Sequence, residues 1–286
     1  MKPILEVKGL KKRVGAFELH DLSFSLIEGC ITGFIGVNGA GKTTTLKLIL
    51  GLMVRDAGEI AFFGKAVLDQ EREFKNRIGV VLDEGYFYDE LTLSEMKSVI
   101  APAYSNWDDA LFKRHLDRFG LQGNQKIAEL SKGMRMKYAI ALAISHHADL
   151  LIMDEPTSGL DPKVRMELMD ILLDYVKEDG KSVFLSSHNS SDLDKVADAL
   201  ILIDNGRIVL SEDKDILLDR HGLVKGDKKE LNDRTRPLFI SLHETEYGYS
   251  GLTDQKAAVR RQLQHALIER PTVEQILLGY AGRSGR

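Results

Sequence analysis

The sequence is poor in cysteine and has no strong excess of either charge. Cys30 is the single cysteine among 286 residues, which excludes an intrachain disulfide and is typical of a reducing compartment. It begins the apolar run CITGFI, so we interpret it as a buried structural thiol in a strand. The formal net charge is −4, and such a mildly acidic chain lacks the basic face that nucleic acid usually requires. We therefore expect no nucleic-acid partner.

Long apolar runs are also missing, and none approaches the ~20 residues that a membrane-spanning helix needs. The opening residues, MKPILEVKGL, lack the basic and then apolar pattern of a secretion signal. These absences lead us to expect a cytoplasmic protein, and they leave it free to dock on a membrane protein. The hydrophobic fraction of 43% is ample for a sizeable core.

Strand and helix patterns alternate along residues 1–210. RIGVVLD (77–83), LLIMDE (150–155) and SVFLSS (182–187) are short apolar runs, the pattern of strands buried on both faces. Residues 85–148 interrupt the alternation with helical periodicity, and Asn205-Gly206 predicts the turn of a hairpin. The sequence thus predicts an α/β fold, with a parallel sheet core and a helical insertion.

The pattern loosens after this region, and we predict a C-terminal accessory domain over residues 211–286. HGLVKGDKKELNDRTRP (221–237) is rich in charge and predicts a loop. RPTVEQILLGY predicts a helix that begins with Thr272 as its N-cap and has Gln275 three residues later. We interpret the apolar stripe of this helix as a packing surface.

A glycine-rich stretch, GVNGAGKTTT (36–45), matches the pattern GxxxxGK[ST] in full. It follows a strand pattern and opens a helix, where backbone N–H groups and the helix N-terminus bind phosphate. Lys42 would reach the β- and γ-phosphates, and Thr43 would hold Mg²⁺. The alternative is a glycine-rich turn that binds nothing, which the strand–loop–helix context disfavours. The predicted nucleotide-binding residues here are Gly36, Asn38, Gly39, Ala40, Gly41, Lys42, Thr43 and Thr44.

Two carboxylates, Asp154 and Glu155, end the strand pattern LLIMDE. Ligands of open α/β sheets bind at the carboxyl ends of the strands. Asp154 fits a carboxylate that supports Mg²⁺, and Glu155 fits a base that takes a proton from an attacking water. Such a base typically contributes about 10²–10⁴-fold in rate. Carboxylates at a strand end are also often helix caps, and the phosphate loop favours the catalytic interpretation.

Four motifs follow the phosphate loop in order: LSKGM (130–134), LLIMDEP (150–156), SGLD (158–161) and SSH (186–188). In this order they resemble the motifs of ABC-type ATPases, over roughly residues 4–210. The resemblance implies a P-loop NTPase (RecA-like) core with an antiparallel N-terminal β subdomain, and it implies ATP and Mg²⁺ as ligands. It also implies that two subunits pair head to tail around ATP.

The resemblance assigns roles to individual residues. Ser131 and Gly133 would touch the γ-phosphate of ATP held by the opposite chain, and Asp161 would lie in a loop that crosses the dimer interface. His188 would hydrogen-bond the γ-phosphate. LSKGM has Lys and Met where the family usually has Gly and Gln, and we expect this variation to be tolerated. The implied catalytic residues are Lys42, Ser131, Glu155 and His188.

Two positions depart from the family pattern. KKRVGAF places Val14 where an aromatic residue usually stacks on adenine. Losing such stacking costs about 1–3 kcal/mol, which predicts ATP binding about 5- to 150-fold weaker. Two alternatives stay open: Phe17 compensates for the missing aromatic residue, or adenine rests on Val14 alone. Asp83 stands where the family usually has glutamine, and we expect it to contact Mg²⁺ and to sense the γ-phosphate only through the metal.

The function implied is that of the ATPase subunit of an ABC transporter, similar to bacterial exporters of the bacitracin-resistance and antimicrobial-peptide type. We expect a homodimer on the inner face of the cell membrane, with a separate membrane subunit docked near Asp83–Tyr104. Tyr86, Phe87 and Tyr88 in that segment fit either docking or a local aromatic cluster, and both interpretations stay open. The expected cargo is a peptide, an antibiotic or a lipid-like molecule.

Two other classes of protein are alternatives. One is an ABC ATPase that acts on the ribosome or DNA, but such proteins usually carry two ATPase units or a long coiled coil. The other is a P-loop kinase or GTPase, which would lack LSKGM and the downstream histidine. The order of the motifs favours the transporter subunit over both.

Overall fold

The computed structural model describes residues 2–67, 71–82 and 86–281, which form strands and helices as follows. The strands are β1 (Pro3–Val14), β2 (Phe17–Ile27), β3 (Ile31–Ile35), β4 (Ala57–Phe62), β5 (Lys65–Ala66), β6 (Ile78–Val81), β7 (Leu150–Asp154), β8 (Ser182–Ser187), β9 (Ala199–Asp204), β10 (Arg207–Asp213), β11 (Gly222–Gly226), β12 (Ser241–Glu244), β13 (Tyr249–Thr253) and β14 (Leu267–Glu269). The helices are α1 (Lys42–Ile49), α2 (Glu71–Lys75), α3 (Leu93–Ile100), α4 (Asp109–Phe119), α5 (Lys132–Ile144), α6 (Pro162–Val176), α7 (Ser190–Val196), α8 (Lys214–Arg220), α9 (Lys256–Gln262) and α10 (Val273–Ala281).

The central sheet has the strand order β10-β9-β3-β8-β7-β6. Neighbouring strands from β9 to β6 pair in parallel, and only β10 is antiparallel to its neighbour. Every residue of β3 and β7 is buried because both faces of the sheet are covered. Leu151 of β7 joins one apolar cluster, and Leu150 joins another. The predicted α/β fold with a parallel core is confirmed.

An antiparallel sheet of the order β2-β1-β4-β5 is formed by strands that precede and follow β3 in the sequence. Its apolar residues, such as Leu5 and Leu22, share a cluster with Phe34 and Phe184 of the central sheet. The rings of Phe34 and Phe184 lie 5.3 Å apart, between their centroids. This sheet is the N-terminal β subdomain that the family resemblance implies.

Helices α3, α4 and α5 form the predicted insertion. Thr92 and Glu95 cap α3 reciprocally, as a capping box. Tyr138 is fully buried on α5, and its hydroxyl donates to Leu93 O at 2.8 Å, which ties α5 to α3. Phe87 packs edge-on against Tyr138, with the ring centroids 5.2 Å apart.

The hairpin of β9 and β10 turns at Asn205 and Gly206, as predicted, and both residues have positive φ angles (44° and 69°). Its turn reaches two other parts of the chain. Gly206 N donates to Ala40 O in the phosphate loop at 3.0 Å, and His20 N donates to Gly206 O at 2.8 Å. A Cβ at Gly206 would lie 2.0 Å from Glu18 O, so only glycine fits here.

A third sheet, of the order β12-β13-β11-β14, lies in the C-terminal part of the chain with its own apolar cluster around Val224 and Val259. The loop predicted over 221–237 is therefore wrong in part, because β11 is a central strand within it. Glycine at both ends of β11 concealed the strand. These glycines are needed because a Cβ at Gly222 would lie 2.9 Å from Ile268 Cγ2, and a Cβ at Gly226 would lie 2.7 Å from the Tyr249 hydroxyl.

The boundary between the predicted domains at residue 211 stays a prediction, and β10 continues past it to Asp213. Helix α10 begins as predicted, since Thr272 and Gln275 cap each other reciprocally. Cys30 lies just before β3 and is only partly buried, so its assignment to a strand is wrong. Burial raises the pKa of its thiol, which keeps it protonated and unreactive. None of the described helices is both long and apolar enough to span a membrane.

His146 joins the helical insertion to the central sheet. Its ring stacks on Tyr104 with the centroids 3.8 Å apart, and its Nε2 donates to Ile78 O at 3.2 Å. The residue is 1% exposed, and this burial lowers its pKa to about 4. His146 is therefore neutral in the folded protein at neutral pH.

We expect acid to destabilise the fold through His146. The unfolded state binds the proton at a pKa near 6.5 and the folded state only near 4, so the stabilising effect is complete above pH 6.5 and declines as the pH falls towards 4. The loss amounts to about 3 kcal/mol at most. Urea unfolding between pH 4.5 and 7.5 measures it, and His146→Gln should reduce the pH dependence by the part that His146 contributes.

His243→Gln is the matched control, because His243 is exposed on β12. This variant should keep the pH dependence of the unmodified chain. His115, whose pKa burial also lowers to about 4, is present in all three proteins. Equal pH dependence in His146→Gln and in the unmodified chain would contradict the assignment.

Candidate functional site

The phosphate loop follows β3 and opens α1, and close packing selects its glycines. A Cβ at Gly36 would lie 2.4 Å from Ile203 O, and a Cβ at Gly41 would lie 2.6 Å from Leu19 Cδ2. Gly41 also has a φ of 111°, a conformation that side chains other than glycine rarely adopt. The loop is thus pressed onto β9 and β2, and its amides and the N-terminus of α1 form a place for an anion.

Lys42 lies at the first position of α1 and is 5% exposed. Its Nζ donates to Gly36 O at 2.7 Å and lies 3.2 Å from Glu155 Oε1. The ammonium group therefore faces the carboxylate of the residue that follows β7. A nearly buried cation in this position can compensate negative charge that develops on a phosphate.

Glu155 follows the last residue of β7 and has a φ of 49°, in the left-handed region. Its backbone N–H is held by Ser186, with the Oγ at 3.0 Å and the carbonyl oxygen at 3.2 Å. Its Oε2 accepts hydrogen bonds from His188 Nδ1 at 2.6 Å and from the His188 backbone N–H at 3.2 Å. One carboxylate thus contacts both Lys42 and His188.

These residues line a cleft of about 590 Å³, within the range of pockets that hold small molecules. The described residues that line it are Val14, Phe17, Asn38, Gly39, Gly41, Lys42, Thr43, Thr44, Glu155, Ser158 and His188. Val14 and Phe17 pair across the turn between β1 and β2, so both candidates for the adenine contact lie on one wall. Gly36 and Ala40 of the same loop are buried and are not among the described lining residues.

Ser131, Gly133 and Asp161 lie apart from this cleft, since none of them is among its described lining residues. Ser131 is exposed and caps α5 by accepting Met134 N at 3.2 Å. Gly133 allows α5 to approach α6, because a Cβ there would lie 2.7 Å from Val164 Cγ1. Asp161 caps α6 by accepting Lys163 N and Val164 N, each at 3.1 Å. These residues have local roles in capping and packing.

The predicted Mg²⁺ residues are only partly described. Asp154 is 6% exposed, and its Oδ1 accepts the Ser186 hydroxyl at 2.6 Å. Thr43 is exposed in the cleft. Asp83 lies outside the described residues. Among the residues that are described, no cluster of three or more His, Cys, Asp and Glu side chains could hold a metal ion. A hydroxyl, a carboxylate and phosphate oxygens are nevertheless the donors that Mg²⁺ prefers.

The sequence patterns include Ser186 in SSH but assign it no role. This residue of β8 lies level with Asp154 of β7, and it contacts Asp154 and Glu155 together. The only available signal was a polar residue at the end of an apolar strand pattern. That signal becomes informative only when the parallel register of the two strands is known.

Comparisons with known proteins identify the family of the chain. A family described as ABC transporter matches residues 19–158. The chain is 31% identical over 264 residues to the bacitracin transport ATP-binding protein BcrA of Bacillus licheniformis, which covers 88% of this chain and 84% of that protein. It is 29% identical over 300 residues to the Nod factor export ATP-binding protein I of a Rhizobium species, which covers 99% and 98%.

A solved structure, that of an ATP-binding subunit of an ABC transporter, matches with a TM-score of 0.68 and 30% identity. The match covers 76% of this chain and 92% of that one. The matched family spans the phosphate loop, LSKGM, and the carboxylates of Asp154 and Glu155. The chain therefore belongs to the ABC transporter family, as an ATP-binding subunit with ATPase activity.

Proposed function

We propose that two copies of this chain bind ATP head to tail and hydrolyse it to drive a membrane subunit that exports a peptide, an antibiotic or a lipid-like cargo. The position of Glu155 supports the proposed hydrolysis of ATP, because its carboxylate contacts Lys42 and His188 in one cleft. These are a base, a cation and a hydrogen-bonding imidazole. Phosphoryl transfer to water needs such groups around the γ-phosphate.

In the proposed reaction, Glu155 accepts a proton from water as the water oxygen attacks the γ-phosphorus. The bond from this phosphorus to the bridging oxygen breaks, and ADP leaves. Lys42 and the loop amides compensate the charge on the phosphate oxygens. Thr43 and Asp154 would hold Mg²⁺, which supplies further positive charge there, and the proposed contribution of Asp83 belongs to the same ion.

The pairing of two copies is supported by the separation of LSKGM from the cleft. Ser131 is exposed at the start of α5, so it is available to another molecule. Gly133 packs on Val164, which joins LSKGM to the helix that follows SGLD. In the proposed dimer, Ser131 of the partner subunit and its helix N-terminus contact the γ-phosphate held by this chain.

Docking of a membrane subunit is supported by an apolar groove of about 370 Å³ between the sheets and the insertion. Leu52, Phe74 and Tyr104 line it. Leu52 in the groove is 61% exposed, and Tyr86, which follows the lining residue Leu82 in the sequence, is 75% exposed. Of the two interpretations of the aromatic segment, Phe87 fits local packing, whereas Tyr86 and Tyr88 fit docking.

The direction of transport and the location rest on the relatives. Two of them are named for bacitracin transport and for Nod factor export. Subunits of this family work with membrane permeases, so we place this chain on the inner face of the cell membrane. The alternative of an ABC ATPase that acts on the ribosome or DNA is not favoured by these relatives.

We expect Glu155→Gln to form a dimer in the presence of ATP. The substitution removes the proton acceptor and one negative charge next to Lys42, so ATP should remain bound and unhydrolysed. Light scattering during size-exclusion chromatography measures the mass. Adding Ser131→Arg should abolish the dimer, because the bulky cation would occupy the place of the partner's contact.

Ser131→Ala in the same background is the control for the lost helix cap, and it should retain part of the dimer. A persistent monomer at saturating ATP would contradict pairing of identical chains. Circular dichroism of each variant confirms that the fold is intact.

We expect Val14→Tyr to strengthen ATP binding by about 5- to 150-fold, through stacking on adenine worth ~1–3 kcal/mol. Val14 is 44% exposed, so a larger side chain has space. Isothermal titration with ATP measures this. Phe17→Ala distinguishes the two adenine contacts, since it weakens binding only if Phe17 is the existing partner. Unchanged affinity in Val14→Tyr would contradict an adenine contact at this wall.

We expect Leu52→Asp to release the chain from membranes while ATP binding stays unchanged, because a charge in the groove opposes apolar docking. Sedimentation of membranes from cells that express the full transporter measures the bound fraction. Leu278→Asp is the matched control, since Leu278 is equally exposed at 61% but lies on α10. Equal membrane binding of both variants would contradict docking at the groove.

A further inference from the structure

Helix α7 connects the proposed catalytic histidine to the rest of the molecule. It begins two residues after His188, and the Asn189 side chain caps it by accepting Ser191 N at 3.1 Å. Leu193 anchors the helix on β3, the strand before the phosphate loop. A Cβ at Gly33 would lie 2.9 Å from Leu193 Cδ1, so glycine permits this close approach. Any shift of α7 would therefore move the segment that carries His188.

Helix α10 of the C-terminal part packs directly on α7. Val273, Ile276 and Leu277 are buried in the same apolar cluster as Leu193 and Val196. The stripe that the sequence predicted as a packing surface thus covers the histidine helix.

A polar contact fixes the start of α10 on α7. The Asp194 carboxylate accepts the backbone N–H of Val273, and burial raises the pKa of this carboxyl by more than that hydrogen bond lowers it. Lys214 Nζ, from α8, donates to Asp194 O at 2.9 Å. Two elements of the C-terminal part therefore hold one residue of α7.

His221 connects α10 to the C-terminal sheet. It is fully buried, its Nδ1 donates to Leu217 O at 2.9 Å, and its Nε2 accepts the Tyr280 hydroxyl at 2.8 Å. Gly222, the next residue, begins β11. The end of α10 is thereby tied to α8 and β11, so α10 moves with the C-terminal sheet.

We propose that the C-terminal part of the chain positions His188 for hydrolysis, because α10 holds α7 against β3. Val273 and Asp194 are positioning residues, and neither is among the described residues that line the cleft. The proposal rests on the proposed role of His188. It gives residues 214–281 a part in the ATPase cycle: when α10 loosens, the chain retains ATP binding and loses turnover.

Two valines of the C-terminal part allow a matched test in the full-length chain. Val273 is 2% exposed and faces the α7 cluster, whereas Val259 is fully buried in the separate C-terminal cluster. Val273→Ala should lower kcat for ATP hydrolysis by about 3- to 10-fold with KM unchanged. It should also accelerate hydrogen exchange in residues 190–196. Val259→Ala should leave kcat and that exchange unchanged.

Asp194 provides a second pair of variants that does not open a cavity. Asp194→Ala removes the acceptor for Val273 N–H and should reproduce the kcat loss, while Asp194→Asn keeps an acceptor oxygen and should restore most of it. Equal kcat losses in Val273→Ala and Val259→Ala would overturn the proposal. Unchanged exchange in α7 in both Val273→Ala and Asp194→Ala would also overturn it.

His188→Ala separates this proposal from the proposed function. If this variant keeps full kcat, the proposed role of His188 is wrong, and its positioning cannot affect hydrolysis. Hydrogen exchange in α7 would still report whether α10 holds this helix. If His188→Ala loses kcat and Val273→Ala does not, the histidine role stands and the positioning role is wrong.

Discussion

The parallel pairing of β3, β7 and β8 is the constraint on which the site depends. Ile35 lies level with Ser187, and Asp154 lies level with Ser186, so the three strands end at one edge of the sheet. Glu155 and His188 directly follow β7 and β8, and Lys42 follows β3 at the end of the phosphate loop. Because parallel neighbours are joined by long crossovers, three remote segments meet where no local segment carries all three groups.

Glu155 shows how the edge of the sheet fixes a reactive group. A glutamate in the left-handed region costs on the order of 1 kcal/mol and persists only where its surroundings determine it. The oxygens of Ser186 hold its backbone, and Lys42 and His188 hold its side chain. Asn205 adopts a similar φ in a hairpin turn, where such strain is common and has no chemical role. At Glu155 the strain directs the carboxylate into the cleft.

Much of the fold was predictable because its signals are local. The phosphate loop, the buried strand runs and the caps of α6 and α10 are each contained in a few consecutive residues. The strand β11 was not predictable, since its glycines are selected by Tyr249 and other distant neighbours. Ser186 was missed for the same reason, because its role depends on strand register. Ser131 and Asp161 cap helices within their own chain. Their proposed contacts across the dimer depend on a second chain.

The turn at Gly206 has a consequence for synthesis of the protein. Its N–H supports Ala40 of the phosphate loop, and its carbonyl accepts His20 N. The loop leaves the ribosome early, but this support arrives only after β9 and the turn have been made. Domains generally fold as units during translation, and contacts distant in sequence form late. A nascent chain that ends before Gly206 would therefore carry the complete phosphate-loop sequence without its native support, and nucleotide would be captured late in translation.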